Sequence, residues 1–295
     1  MKRALPLVLV LAACGEGGVQ RLSGLDSLLQ VADAQYFAGP VPRQTEGAPS
    51  VAALRVVSQT VRVGQINRAL GGSVSSDAAS VALQLDGDPG YWVKPVGGSD
   101  PVLPDSLSFE ANLAFSRFVT AGLHDLLVSA SNAKGQWGPS ERLGFTFVDL
   151  DAAPPADLEV RLSWDVDADL DLHVIQPDGV EIWARKFSAY EAPVVGPIDQ
   201  AAANAAGHLD FDSNGGCRID GRRKESVLFS AAPSGAYTVR VDTFSLCGQA
   251  AARWTLEVLR HGEPITSASG TSLPTTTRFP HERGAGLLAA QFTLP

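Results

Sequence analysis

Between Trp164 and Trp183 the chain reads WDVDADLDLHVIQPDGVEIW. Asp165, Asp167, Asp169 and Asp171 occupy every second position, His173 continues the series, and Trp164, Val166, Ala168, Leu170 and Leu172 alternate with them. Alternate residues of a β-strand point to opposite faces, so the pattern predicts an amphipathic strand carrying these acids and the imidazole on one side. Same-face neighbours lie about 7 Å apart along a strand, near enough for like charges to repel. A second acidic stretch, GHLDFDSNGGCRIDGRRKES at residues 207–226, sets Asp210, Asp212 and Asn214 at alternate positions before Gly215-Gly216. Hard oxygen donors grouped on a glycine-permitted turn are what a calcium loop needs. The EF-hand pattern nevertheless fails: Gly221 stands where its bidentate glutamate belongs, and no flanking helices are expected.

Two readings of these acids stay open. In one, Asp169, Asp171, Asp210, Asp212 and Glu225 pool around a calcium ion held by a β-sandwich. In the other, the aspartates face water or pair with Arg222, Arg223 and Lys224. Mg²⁺ suits the cluster less well, because it keeps most of its waters, and transition metals call for more His or Cys than the cluster offers.

Catalysis finds little support. The histidines are His124, His173, His208, His261 and His281, and no G-x-S-x-G elbow, H-E-x-x-H helix or activated lone cysteine accompanies them. Nothing selects a glycosidase-type carboxylate pair, and phosphate-loop and dinucleotide fingerprints are missing. The expectation is a non-enzyme. The catalytic alternative is a hydrolase-type accessory using His173 or His208 with an aspartate.

The elements that must position these groups are short strands. Gly 29 and Pro 19 in 295 residues favour many turns over long helices. The formal charge of −9 and the lack of a basic stripe argue against nucleic acid as a partner. Residues 50–149 read as seven strands at 51–57, 59–63, 80–85, 91–95, 107–115, 124–131 and 143–148, with Gly71-Gly72 taken as a turn. Pro154-Pro155 marks a boundary. Residues 157–295 supply eight more strands, at 158–164, 169–176, 180–184, 207–211, 225–229, 235–244, 253–260 and 287–294, with a helical turn at 198–205. The fold class expected is all-β: two consecutive antiparallel sandwiches. Trp92, Tyr91, Trp137, Trp183, Tyr237 and Trp254 are expected to pack in or beside their cores.

The opening MKRALPLVLVLAAC joins a positive n-region to an apolar run too short to span a bilayer. Its end, Leu11-Ala12-Ala13-Cys14, resembles a bacterial lipobox. That resemblance implies a signal peptide at 1–13, a lipid on Cys14, and anchorage to the outer membrane, since Gly15 rather than Asp follows; an ordinary secretory signal is the alternative. Residues 14–49 then read as a tether, with a short helix near 22–34. Cys217 and Cys247 remain as an even pair in an oxidising compartment and are expected to form a disulfide, two free thiols being the alternative.

Two further resemblances follow from the motifs. Residues 122–147, GLHDLLVSASNAKGQWGPSERLGFTF, resemble the closing strands of bacterial immunoglobulin-like and fibronectin-III-like modules. The succession W-x-x-D-x-D-L-D-L-H-V-x-x-P-D-G (164–179), G-H-L-D-F-D-S-N-G-G (207–216) and P-S-G-x-Y-x-V-x-V (233–241) resembles the bacterial DUF2135, or YfaP-like, group. It implies a secreted or periplasmic sandwich with no assigned catalytic activity. The sequence departs from that pattern at Arg222-Arg223-Lys224-Glu225, where the group has Gly-Pro-Glu. Together these readings predict a binding or display lipoprotein, or a structural subunit of an envelope complex. Its partners would be the membrane, through the lipid, and an envelope protein or polysaccharide.

Overall fold

Residues 24–151, 155–193, 196–277 and 280–295 are described in the computed structural model. Cys14 and the signal-like segment lie outside them. Short alternating segments in the first half form β1 (Leu29–Val31), β2 (Gln35–Phe37), β3 (Val51–Arg55), β4 (Thr60–Arg62) and β5 (Arg68–Ser75). They continue with β6 (Ser80–Leu85), β7 (Tyr91–Pro95), β8 (Ser106–Phe115), β9 (Gly122–Ser131) and β10 (Trp137–Val148). One sheet has the order β1-β8-β5-β3 and the other β2-β7-β6-β9-β10-β4. Their inward residues, among them Leu70, Phe109, Leu113, Leu83, Val128 and Phe145, share one core. Pairing is antiparallel except for β4, which runs parallel to the end of β10.

This corrects the tether. From Leu25 onward the segment belongs to the first sandwich, with Leu25 and Leu29 fully buried. The expected helix near 22–34 is, over its described residues, a 3-10 turn at Leu25–Ser27 followed by β1. Trp92 helps to fix the segment by donating its indole N–H to the Leu29 carbonyl at 2.8 Å.

The second sandwich comprises β11 (Leu158–Trp164), β12 (Asp169–Ile175), β13 (Glu181–Ile182), β14 (His208–Leu209) and β15 (Lys224–Phe229). After them come β16 (Gly235–Ser245), β17 (Ala252–Arg260), β18 (Glu263–Ser272) and β19 (Leu287–Leu294). Its sheets run β14-β15-β11-β17-β18 and β13-β12-β16-β19. The alternation in LEVRLSW alone predicts which side of β11 is inside: Leu158, Val160 and Leu162 are fully buried. Tyr237 stacks on Phe292 in this core and donates its hydroxyl to the Pro233 carbonyl at 2.7 Å, so the ring is buried with its polar end satisfied. One short helix, α1 (Gln200–Ala205), is capped by the Asp199 carboxylate, which accepts the Ala202 N–H. No helix among the described residues is long and apolar enough to cross a membrane.

The two sandwiches touch along a polar seam. Arg68 of β5, 1% exposed, donates to the Arg185 carbonyl at 2.6 Å, and Arg62 of β4 donates to the Asp210 carbonyl. Ser58 donates to Glu191 at 2.9 Å, while Thr60 accepts the Ala192 N–H at 2.9 Å. Hydrogen bonds of this kind orient two surfaces rather than merely covering them.

Candidate metal centre at the seam

The row of aspartates is not one strand. β12 begins at Asp169, and the preceding residues bend. Asp165 accepts the Arg253 N–H at 2.8 Å, and Asp167 pairs with Arg223 at 2.9 Å. These two hold the edge of the second sandwich and take no part in the cluster. The tryptophan before them explains the break: the Trp164 indole donates back to the Ala168 carbonyl at 3.0 Å, closing the bend.

Asp169, Asp171 and His173 do share one face of β12, but it is not a solvated face. They are 1%, 5% and 0% exposed. Leu170, Leu172 and Val174 fill the core on the opposite side, so β12 is buried on both faces. Asn67 and Asn112 of the first sandwich, together with Arg185 and Asp212, help to line a cavity of about 100 Å³ into which Asp169 and Asp171 face. The arginine-paired reading holds at Asp167 but not at the clustered aspartates. Arg223 goes to Asp167, and Arg222 lies 3.6 Å over the ring of Phe211.

Asp169, Asp171 and Asp212 each offer a carboxylate oxygen, and the three oxygens lie within 4.8 Å of one another. Oxygens bound to one calcium ion at about 2.4 Å can be at most about 4.8 Å apart, so the three lie within the spread that a single such ion can bridge. Asp169 Oδ2 is held by the Gly216 N–H at 2.7 Å, whereas Asp169 Oδ1 and Asp212 Oδ1 are buried with no hydrogen-bond partner. Buried, unsatisfied anionic oxygens are costly unless a proton or a cation joins them. Burial, then the charges of Asp171 and Asp212, raises the Asp169 pKa to about 9. Burial and Asp212 raise Asp171 to about 7, and burial raises Asp212 to about 7 against a hydrogen bond from Asn67.

The other two expected ligands are placed differently. Glu225 is fully buried and spends its oxygens on the N–H groups of Leu172 and Ser213, at 2.8 and 3.0 Å. Burial first, then Asp171 and Asp212, holds its pKa well above the ordinary range. It therefore stands behind the cluster as an anchor for β12. Asp210 accepts the Ser226 N–H at 2.8 Å and is not among the three clustered oxygens. Asn214, the third member of the D-x-D-x-N run, is fully buried. It donates to the carbonyls of Ala168 and Arg222 at 2.9 and 3.1 Å and accepts from Asp220 at 3.1 Å. It ties the loop together; its side-chain oxygen already has a donor.

The Cys217–Cys247 disulfide is present, with a Cα–Cα distance of 5.4 Å. It links the 3-10 turn at Gly215–Cys217, whose Gly216 amide holds Asp169, to the loop after β16. Gly215 is required there: a Cβ would come within 2.1 Å of the Asn67 amide and 2.6 Å of Asp212 Oδ1.

Sequence reasoning missed Asn67, Glu181, Asp242 and His281. Asp242 pairs directly with Asp171 across β12 and β16, yet it lies 71 positions away in the chain. The available signal is the alternation Tyr237, Val239, Val241, which turns Arg240 and Asp242 to the other face. His208 sits on β14, away from the clustered aspartates, with Nδ1 beside the Ala206 carbonyl at 3.1 Å and a pKa lowered by burial. Neither His208 nor fully buried His173 presents an imidazole to solvent for hydrolysis.

No family model matches the chain, and no curated protein matches it. Solved structures to which it is similar include the central fibronectin-III array of RIM-binding protein, with 13% identity, 82% of this chain and 74% of that one covered, and a TM-score of 0.22. The D00-D0 domain of intimin is 8% identical over 75% of this chain and 98% of that one, with a TM-score of 0.21. The C-terminal domain of the Streptococcus agalactiae AgI/II polypeptide BspA is 9% identical over 76% and 98%, with a TM-score of 0.19. The all-β sandwich class rests on the strands themselves.

Proposed function

We propose that the chain is a non-catalytic binding or display module of a bacterial cell envelope, in which calcium fixes one sandwich against the other. The observation that carries this reading is the cluster of Asp169, Asp171 and Asp212 at the seam, with unpartnered oxygens on two of them. A cation there would neutralise the second sandwich's charge directly beneath Asn67 and Asn112 of the first. Loops on both sandwiches would then form one rigid surface for an envelope protein or polysaccharide. The same seam opens into a cleft of about 230 Å³ lined in part by Arg62, Arg117, Phe211 and Arg222, a mixture of cation and ring suited to an acidic or sugar-bearing partner. In this reading Cys14 carries the lipid that anchors the protein to the outer membrane. The DUF2135-like motifs describe the second sandwich, and their aspartates supply the metal ligands.

Thermal unfolding of the full, oxidised chain in EDTA and in millimolar Ca²⁺ tests the reading. A calcium concentration 100-fold above the Kd would add about 2.7 kcal/mol, raising the midpoint by several degrees. Asp171→Asn combined with Asp212→Asn should remove the rise. Superimposed wild-type curves would overturn calcium as the lock.

A further inference from the structure

His173 is the one fully buried ring on the acidic face of β12, and its surroundings differ from those of the aspartates beside it. Its Nδ1 is 2.7 Å from Glu181 Oε1, its ring stacks on Trp183 at 5.0 Å, and its Nε2 is buried with no hydrogen-bond partner. Glu181 is itself fixed, accepting the Gly284 N–H on both oxygens at 3.0 and 2.9 Å, with Arg283 3.8 Å away. A carboxylate oxygen on Nδ1 favours the tautomer whose proton is on Nδ1, which leaves a lone pair on Nε2. This is the arrangement that prepares an imidazole to bind a metal.

The ring has suitable neighbours. Asp171, two residues away on the same face, and Asp242, directly opposite Asp171 on β16, offer oxygens that lie with a nitrogen of His173 within 4.8 Å of one another. Asp242 is 1% exposed, and its Oδ2 is 2.7 Å from Nδ1 of His281, so it too is oriented by a partner behind it. Arg240, which faces His173 across the ladder, turns its guanidinium to the Gly286 carbonyl at 3.0 Å. Arg185 is the remaining cation near Asp171, and it lies 5.8 Å over Trp183.

We propose that Asp171, His173 and Asp242 form a second divalent-metal position, for a borderline transition metal of the Zn²⁺ class, with Glu181 as the residue that positions His173. One imidazole with two carboxylates matches such ions better than calcium, which takes oxygen alone. Asp171 belongs to both groups, so the pair of positions would share it as a bridging carboxylate. Tetrahedral zinc would hold its donor atoms about 3.3 Å apart, inside the 4.8 Å within which they lie here. The proposal does not rest on calcium occupying the neighbouring group.

Cobalt(II) reports it directly, because a nitrogen-containing, low-coordinate site gives visible absorption far stronger than an all-oxygen octahedral one. The full chain, freed of metal by chelation and titrated with Co²⁺ alone, should develop such a band, which Zn²⁺ displaces and Ca²⁺ does not. His173→Gln should abolish the band, and Glu181→Gln should weaken Zn²⁺ binding by roughly 10- to 100-fold while preserving the spectrum. Asp212→Asn should keep the band while losing the calcium response, which separates failure of this site from failure of the calcium lock. Nitrogen-15 NMR of the wild type avoids any folding defect in the variants: the His173 Nε2 resonance should move on adding Zn²⁺. A weak octahedral spectrum indifferent to His173→Gln, or an Nε2 that stays protonated and unmoved by Zn²⁺, would overturn the proposal.

Discussion

At the scale of single residues, what separates these carboxylates is who holds each oxygen. Glu225 and Asp210 are satisfied by backbone N–H groups, whereas Asp169 and Asp212 keep free oxygens. Asp100 is the opposite extreme. Its carboxylate takes the Ser73 hydroxyl at 2.6 Å, Arg55 at 2.6 Å and the N–H groups of Val102 and Leu103. The Ser73 and Arg55 hydrogen bonds hold it well below the usual carboxylate range. A depressed folded pKa stabilises above the unfolded value near 4 and is lost as pH falls through the folded one. Replacing Asp100 with Asn should therefore lower stability at neutral pH and flatten its loss in acid, as read from urea midpoints between about pH 2 and 7. Asn214→Ala orphans the buried carbonyl of Ala168 and removes the partner of the Arg222 carbonyl and the Asp220 N–H, and should cost roughly 1–3 kcal/mol in the same measurement. The sequence showed which acids could gather, because D-x-D spacing is local. It did not show that Asn214 serves the loop, since a buried amide and a ligand amide look alike in one dimension.

Strands with clear alternation, such as β11, β12 and β16, were legible because the period of two survives whatever packs on them. β5 and β18 were not. RALGGSVS reads as a turn at Gly71-Gly72, yet Gly72 is mid-strand because the Phe109 ring lies across it: a Cβ would come within 2.2 Å of that ring and 2.8 Å of the Ala53 carbonyl. In β18, EPITSASGTS is mostly small and polar after Ile265, and the Trp254 indole covers Gly270, within 2.2 Å of where a Cβ would be. In both cases the apolar side chain over the glycine belongs to the neighbouring strand, so the strand's own pattern is blank at that position. Gly72→Ala should cost roughly 2–3 kcal/mol through displacement of Phe109, measurable by chemical denaturation. The same change at the exposed Gly98, whose Cβ meets nothing within 4 Å, serves as the control.

At the scale of the whole molecule, the seam decides the chemistry. Neither sandwich alone encloses the cavity at Asp169 and Asp171: Asn67, Ala69 and Asn112 come from one half and the acids from the other. No sequence pattern could reveal this, because the contact joins residues about a hundred positions apart with no shared motif. Asn67→Ala should therefore weaken calcium's effect on the unfolding midpoint, although Asn67 belongs to the sandwich without the aspartates. A response equal to the wild type's would show that the second sandwich holds the ion unaided.

The disulfide imposes a chronology on all of this. Its 30-residue separation gives it about 3–4 kcal/mol of loop-closure stabilisation, and the turn it pins presents the Gly216 amide to Asp169. A newly made chain still carrying two thiols has its acids but not the fixed turn that aims them. With calcium as the lock, oxidation would come before tight cation capture in the protein's maturation, and a reductant should act on the finished molecule as a slow chelator does.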